Sequence, residues 1–255
     1  MSPLRSHSEY RAGLGQRRAA LAALLFLLCT GAVSAASVQV VPVRVDIDAR
    51  RTAGELRIIN NGKQPLSMQV DSREWTQTED GKDVLSPTGE LLAVPPIFTV
   101  APGSDQIVRV GLLGQPSPTR ERTFRLLATE LAPAAAGDDA SSVRMRLQLS
   151  IPVFVAPTDA ERIPELVVED TRLAADGVAI RVRNTGNTHV KLKQLSVSAT
   201  GGDLPEDGRS GTGRYLLPGT SAEIFVPGQL AGALRSVRIE TEDGWSREHA
   251  VAPDE

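Results

Sequence analysis

Side chains that could do chemistry are few in this sequence and poorly spaced for it. Three histidines and one cysteine occur in 255 residues. His7 and Cys29 fall in an N-terminal segment read below as a removed leader, which leaves His189 and His249, far apart in the chain. With no His-x-x-x-His pair, no glutamate-associated histidine pair and no cysteine cluster, no zinc site is expected. Gly219-Thr220-Ser221-Ala222-Glu223 lacks the second glycine of a nucleophile elbow, and no phosphate-cradling glycine loop precedes a lysine. The acidic pairs Glu79-Asp80 and Asp138-Asp139 lie in turn-rich stretches and read as solvated turns. The expectation is a protein without metal or cofactor, and not an enzyme.

The informative pattern is one of spacing. Val143, Met145, Leu147, Leu149, Ile151, Val153 and Val155 alternate without a break. At about 3.3 Å per residue they define one face of a strand some 40 Å long, roughly twice the usual 5 or 6 residues. Two readings are open. Either the whole row is buried in this protein's own core, or only part is needed at home and the rest is offered to a partner.

The elements that must position such a strand are also strands. Val43, Val45 and Ile47 alternate with charged residues. Leu56, Ile58 and Ile59 lead into the turn signal Asn60-Asn61-Gly62, and Leu66, Met68 and Val70 alternate ahead of Trp75. Further strands are predicted at 97–100, 107–113 and 124–131. After the break near Pro157 to Pro164 they recur at 166–168, 178–182, 190–197, 215–217, 222–226 and 237–239. Turns every ten to fifteen residues and scarce helical periodicity predict an all-β protein of two sandwiches. Their expected bounds are 36–157 and 158–255.

Ahead of them, Arg5, Arg11, Arg17 and Arg18 precede an apolar run from Ala19 to Leu28 and the small residues Val33-Ser34-Ala35-Ala36. That order describes a secretory signal peptide over 1–35, cleaved after Ala35 or Ala36. The apolar run is too short to span a bilayer. Loss of Arg5, Arg11, Arg17, Arg18 and Glu9 leaves 24 basic and 30 acidic residues, a net charge of −6, which argues against nucleic acid or an anionic membrane as the partner. Cys29 departs with the leader, so the exported chain has no disulfide and must be held by burial.

Several motifs follow one another in a distinctive order. Arg44 precedes Asn60 in the first two strands. Val94-Pro95-Pro96-Ile97-Phe98 is followed by Ala101-Pro102-Gly103-Ser104-Asp105-Gln106-Ile107-Val108-Arg109. Arg120 to Arg125 leads to Thr129-Glu130-Leu131-Ala132-Pro133, and Ile151-Pro152-Val153-Phe154-Val155-Ala156-Pro157 closes the first sandwich. Their order and spacing resemble the PapD-like periplasmic pilus chaperones, and the Ile-Pro-Val-Phe-Val form resembles the divergent "archaic" branch of that family, often paired with spore-coat-U-like subunits.

The resemblance implies two immunoglobulin-like domains in a boomerang arrangement, located in the periplasm. It implies a chaperone of fimbrium biogenesis that lends a strand to incomplete pilus subunits and passes them to an outer-membrane usher. The lent strand would carry Val143, Met145, Leu147, Leu149 and Ile151. In the family two cleft cations anchor the subunit's C-terminal carboxylate. Arg44 matches the first, while the position of the second is Pro152, which has neither cation nor N–H; Arg125 is the candidate replacement. Arg109, Glu121 and Asp243 (or Glu242) match a family salt-bridge set that ties the domains together. The free protein is expected as a monomer, with a dimer that caps the long strand as the alternative.

Two other classes fit less well. A structural or adhesive fibre subunit would carry an N-terminal extension before its first strand, whereas strand pattern begins here at Val38. A sugar-binding or hydrolytic sandwich would need more aromatic surface than Trp75, Trp245, Tyr215 and a few phenylalanines provide.

Overall fold

The computed structural model describes residues 38–131, 146–203, 213–230 and 232–251. Among them there is no helix; the secondary structure is all β. The strands are β1 (Val38–Val41), β2 (Val45–Ile47), β3 (Ala53–Asn60), β4 (Leu66–Gln77), β5 (Asp83–Pro87), β6 (Leu91–Val94), β7 (Ile97–Val100), β8 (Asp105–Leu112), β9 (Arg122–Glu130) and β10 (Gln148–Val155) in the first half. The second half holds β11 (Leu166–Ala174), β12 (Gly177–Asn184), β13 (Val190–Ala199), β14 (Gly202–Asp203), β15 (Tyr215–Leu216), β16 (Ser221–Pro227), β17 (Leu234–Thr241) and β18 (Ser246–Ala250).

The first sandwich packs a sheet of order β1-β3-β8-β6 against one of order β2-β10-β9-β4-β5, with β7 also pairing with β4. Strand alternation builds its core. Leu56 and Ile58, Val108 and Val110 come from one sheet; Met68, Phe124, Leu126, Ala128, Ile151 and Val153 come from the other. The second sandwich packs β11-β12-β16 against β14-β13-β17-β18, with β15 on β13, around a separate core that includes Ile180, Leu192, Leu195 and Ile239. Both halves are thus immunoglobulin-like two-sheet sandwiches.

A buried asparagine closes the same corner in each half. Asn60 Nδ2 donates to the carbonyls of Gln64 and Val100, and its Oδ1 accepts from the Gly62 N–H. Asn184 does the same with Thr188, Leu216 and Gly186. An amide can satisfy several loop groups at once, which is why an otherwise costly polar side chain is buried there.

The first strand region serves both sheets. β1 pairs antiparallel with β3, and the chain then crosses at Pro42 so that β2 pairs parallel with the end of β10. β2 is only three residues long. Its brevity leaves much of one β10 edge uncovered.

From Ile151 onward β10 is apolar on both faces. Ile151, Val153 and Val155 enter the first core, whereas Phe154 turns the other way and packs with Trp75, Leu217 and Tyr215 between the sandwiches. A continuous apolar run is what a strand buried on both faces requires.

Candidate functional site

Strand β10 has a neighbour on one side along its whole length and on the other side only at its end. β9 pairs with it from Gln148 to Val155, but β2 pairs only with Val153, Phe154 and Val155. The residues 148–151 therefore form an open edge. The Glu130 N–H donates to the Leu147 carbonyl at 2.8 Å, so the odd-numbered backbone groups face β9. The Ala156 N–H donates to the Ile47 carbonyl at 2.9 Å, so the even-numbered ones face β2. By that alternation the N–H and C=O of Gln148 and Ser150 point outward with no strand to meet them, whereas the C=O of Pro152 is met by the Val45 N–H in the parallel register of β2.

The side chains alternate in the same way. Gln148 and Ser150 are exposed, while Leu147 and Leu149 are half-buried and Leu149 packs at the margin of the first core. Val143 and Met145 lie outside the described residues. Ile151 is only 4% exposed and belongs to the first core, so its expected place among the lent side chains is corrected. Within the described residues the offered row ends at Leu149.

Arg44, Pro152 and Arg125 stand at one level across the sheet. Pro152 is in register with Arg125 on β9, and the parallel ladder carried back one residue from Val45 and Val153 places Arg44 beside Pro152. Two strand spacings separate the arginines, roughly 10 Å between Cα atoms. Their side chains nevertheless diverge. Arg44 pairs with Asp46 at 3.0 Å and lines a 680 Å³ pocket with Arg51, Glu55 and Arg109. Arg125 leans over β4, its guanidinium 3.7 Å from the Trp75 ring centre and 3.8 Å from Asp83. Burial pushes the Arg125 pKa below the ordinary arginine value, while Asp83 and Tyr215 hold it up. The two cations line separate pockets and do not form one two-point anchor.

The expected salt-bridge set is also corrected. Arg109 is exposed on β8 beside Glu55 and shares the Arg44 pocket. Asp243 is an exposed turn residue, and Glu242 pairs with Lys191 at 2.9 Å. No ion pair joins Arg109, Glu121 and Asp243 among the described residues. Glu121 does reach the second sandwich, but with other partners. Its buried carboxylate accepts from Thr188 Oγ1 at 3.0 Å and from the His189 N–H at 2.9 Å, and lies 2.7 Å from His189 Nδ1. The His189 ring stacks on Phe154 with centres 3.4 Å apart and planes at 7°. A polar knot of the second sandwich therefore touches the end of β10.

Gln77 makes the other junction. Its Nε2 donates to the Tyr215 carbonyl, and its Oε1 accepts from the Leu217 N–H and the Thr220 hydroxyl, all at 2.9 Å. The turn after it depends on Gly81, which has φ +71° and whose added Cβ would lie 2.7 Å from the Ser221 carbonyl oxygen. Gly81→Ala is expected to cost about 1–3 kcal/mol through backbone strain and this clash, read as a loss of stability in chemical denaturation. Sequence reading missed Gln77, Thr188 and His189. Each lies at the end or outside of a predicted strand, and their partners are distant in the chain, so no local periodicity marks them.

Comparison with known proteins agrees with this geometry. Residues 37–161 match the family described as pili and flagellar-assembly chaperone, PapD N-terminal domain. The PapD chaperone protein of Escherichia coli is 24% identical over 158 residues, which cover 61% of this chain and 62% of that relative, less than two thirds of its length. Among solved structures, the CsuC–CsuE chaperone–tip adhesion subunit pre-assembly complex of Acinetobacter baumannii aligns with TM-score 0.61 at 19% identity, covering 84% of this chain and 97% of the matched chain. The Salmonella enterica SafA pilin–SafB chaperone complex aligns with TM-score 0.55 at 18% identity, covering 86% and 99%. At such identities the structural likeness is one of fold. The first sandwich, residues 37–161, thus matches the PapD-type N-terminal domain of the pilus-assembly chaperones.

Proposed function

We propose that this protein is a periplasmic chaperone that completes unfinished pilus subunits with the open edge of β10 and delivers them to an outer-membrane usher. The carrying observation is the half-covered strand: unpaired backbone groups at Gln148 and Ser150 alternate with half-buried Leu147 and Leu149. A subunit strand laid along this edge would gain hydrogen bonds worth about 0.5–1.5 kcal/mol each. Enclosing an aliphatic side chain is worth about 1.5–3 kcal/mol when it is fully exposed beforehand, and these two begin half-buried. That sum is of the same order as the roughly 4–15 kcal/mol cost of association. Val143 and Met145, which continue the same alternation, would add to it.

β2 also sets where the added strand must stop. It occupies the β10 edge from Val153 onward, so a strand running towards the second sandwich would end beside Pro152, at Arg44. A terminal carboxylate there would meet the Arg44 guanidinium, with Arg51 and Arg109 lining the same pocket. Charge-assisted pairing with an arginine suits such a group. Arg44→Ala is expected to weaken subunit binding by about tenfold or more, consistent with a lost charged hydrogen bond, without altering the circular dichroism of the free protein.

The test is co-expression with a pilus subunit from the same organism. A soluble one-to-one complex is expected with the natural chain, and free or degraded subunit with Leu147→Glu. Full recovery of the complex with a folded Leu147→Glu variant would remove the lent-strand reading.

A further inference from the structure

The start of β10 is held by side chains and not by the ladder alone. Glu130, the last residue of β9, donates its N–H to the Leu147 carbonyl at 2.8 Å. An antiparallel pair of this kind returns the second bond, from the Leu147 N–H to the Glu130 carbonyl. Here that N–H instead meets the Glu130 side chain, 3.3 Å from Oε2. One residue on, Gln148 Nε2 donates to Thr129 Oγ1 at 3.0 Å.

Glu130 is a firm base for this contact. Its neighbour across the sheet is the buried Met68 of β4, and the Leu131 N–H donates to the Ser67 carbonyl at 2.8 Å. β9 is therefore fixed on its β4 side up to its last residue. Glu130 is half-buried, and its carboxylate has no cation partner among the described residues. It is left to accept the main-chain N–H, a charge-assisted bond stronger than one to a neutral oxygen.

We propose that Glu130 is a positioning residue for the lent strand: its carboxylate pins the Leu147 main chain and so keeps Leu147 in one row with Leu149. Leu147 stands just outside β10, and without the carboxylate its main chain would be tied to β9 by the carbonyl alone. A residue fixed beforehand loses less freedom when a partner covers it, and affinity rises accordingly. This role rests on the lent-strand reading of β10; the contact itself does not.

The test compares Glu130→Ala and Glu130→Gln with the natural chain. In the free proteins, amide exchange followed by NMR should show the Leu147 amide about tenfold faster in Glu130→Ala, as loss of a bond to a charged acceptor entails. The Leu149 and Ile151 amides should keep their rates. Equal amounts of natural and variant chaperone then compete for one pilus subunit from the same organism as it refolds. The natural chain is expected to capture about two- to tenfold more than Glu130→Ala, the range for ordering one side chain on binding. Glu130→Gln keeps an acceptor oxygen at the same reach and should fall near the natural chain in both measurements. An unchanged Leu147 amide, equal capture by Glu130→Ala, or a Glu130→Gln chain as impaired as Glu130→Ala would each overturn the proposal. If the natural chain itself captures no subunit, the lent-strand reading fails, and this role of Glu130 goes with it.

Discussion

Ser150→Pro is expected to leave the free protein folded and to reduce subunit binding by at least tenfold. The Ser150 N–H faces the open side of β10, so its loss breaks no bond to β9. Proline is tolerated on strand edges, and Pro152 already stands two residues further along the same edge. An incoming strand, however, would lose one main-chain hydrogen bond, worth about 0.5–1.5 kcal/mol net. It would also meet the pyrrolidine ring where an N–H should be, and the steric cost takes the loss beyond the bond alone. Leu149→Pro is the matched control. The Leu149 N–H faces β9, so this change should damage the free protein itself. Equilibrium unfolding and subunit binding, measured on both variants, separate an edge that is offered from one that is merely structural.

Glu121→Ala is expected to destabilise the protein by about 3–5 kcal/mol, the loss typical of breaking a buried charged cluster by removing one member. It would strand the Thr188 hydroxyl and two groups of His189 in a buried junction. Glu121→Gln preserves shape and one acceptor oxygen and should cost less. His189→Ala would lose both the contact to Glu121 and the stack on Phe154. The two alanine substitutions should be strongly non-additive, because each removes the same pair. Additive losses in a double-mutant cycle by denaturant unfolding would mean that the pair is not a coupled unit.

These residues also mark where sequence reading succeeded and where it stopped. Leu66, Met68 and Val70 were legible as a strand face because alternation is a local signal, and all three are buried. Val45 and Ile47 are core residues as well, but Val43, in the same alternating row, is 77% exposed. The reason is non-local: the chain is still crossing between sheets at that point, and β2 begins only at Val45. The two-sided burial of Ile151 to Val155 was present in the composition of the run, yet the other covering face belongs to the second sandwich. Arg109 and Asp243 were assigned through family resemblance to a bridge with Glu121. The geometry instead gives Glu121 to Thr188 and His189, and no spacing rule connects residues so far apart in the chain.

The most direct measurement is amide hydrogen exchange, residue by residue, along 147–152 in free and subunit-bound protein. In the free chain the Leu149 and Ile151 amides, bonded to β9, should be protected, while those of Gln148 and Ser150 should exchange rapidly. On binding a subunit, Gln148 and Ser150 should become protected too. If they stay fast in a stoichiometric complex, or are already slow in the free monomer, the open edge of β10 is not what the protein lends.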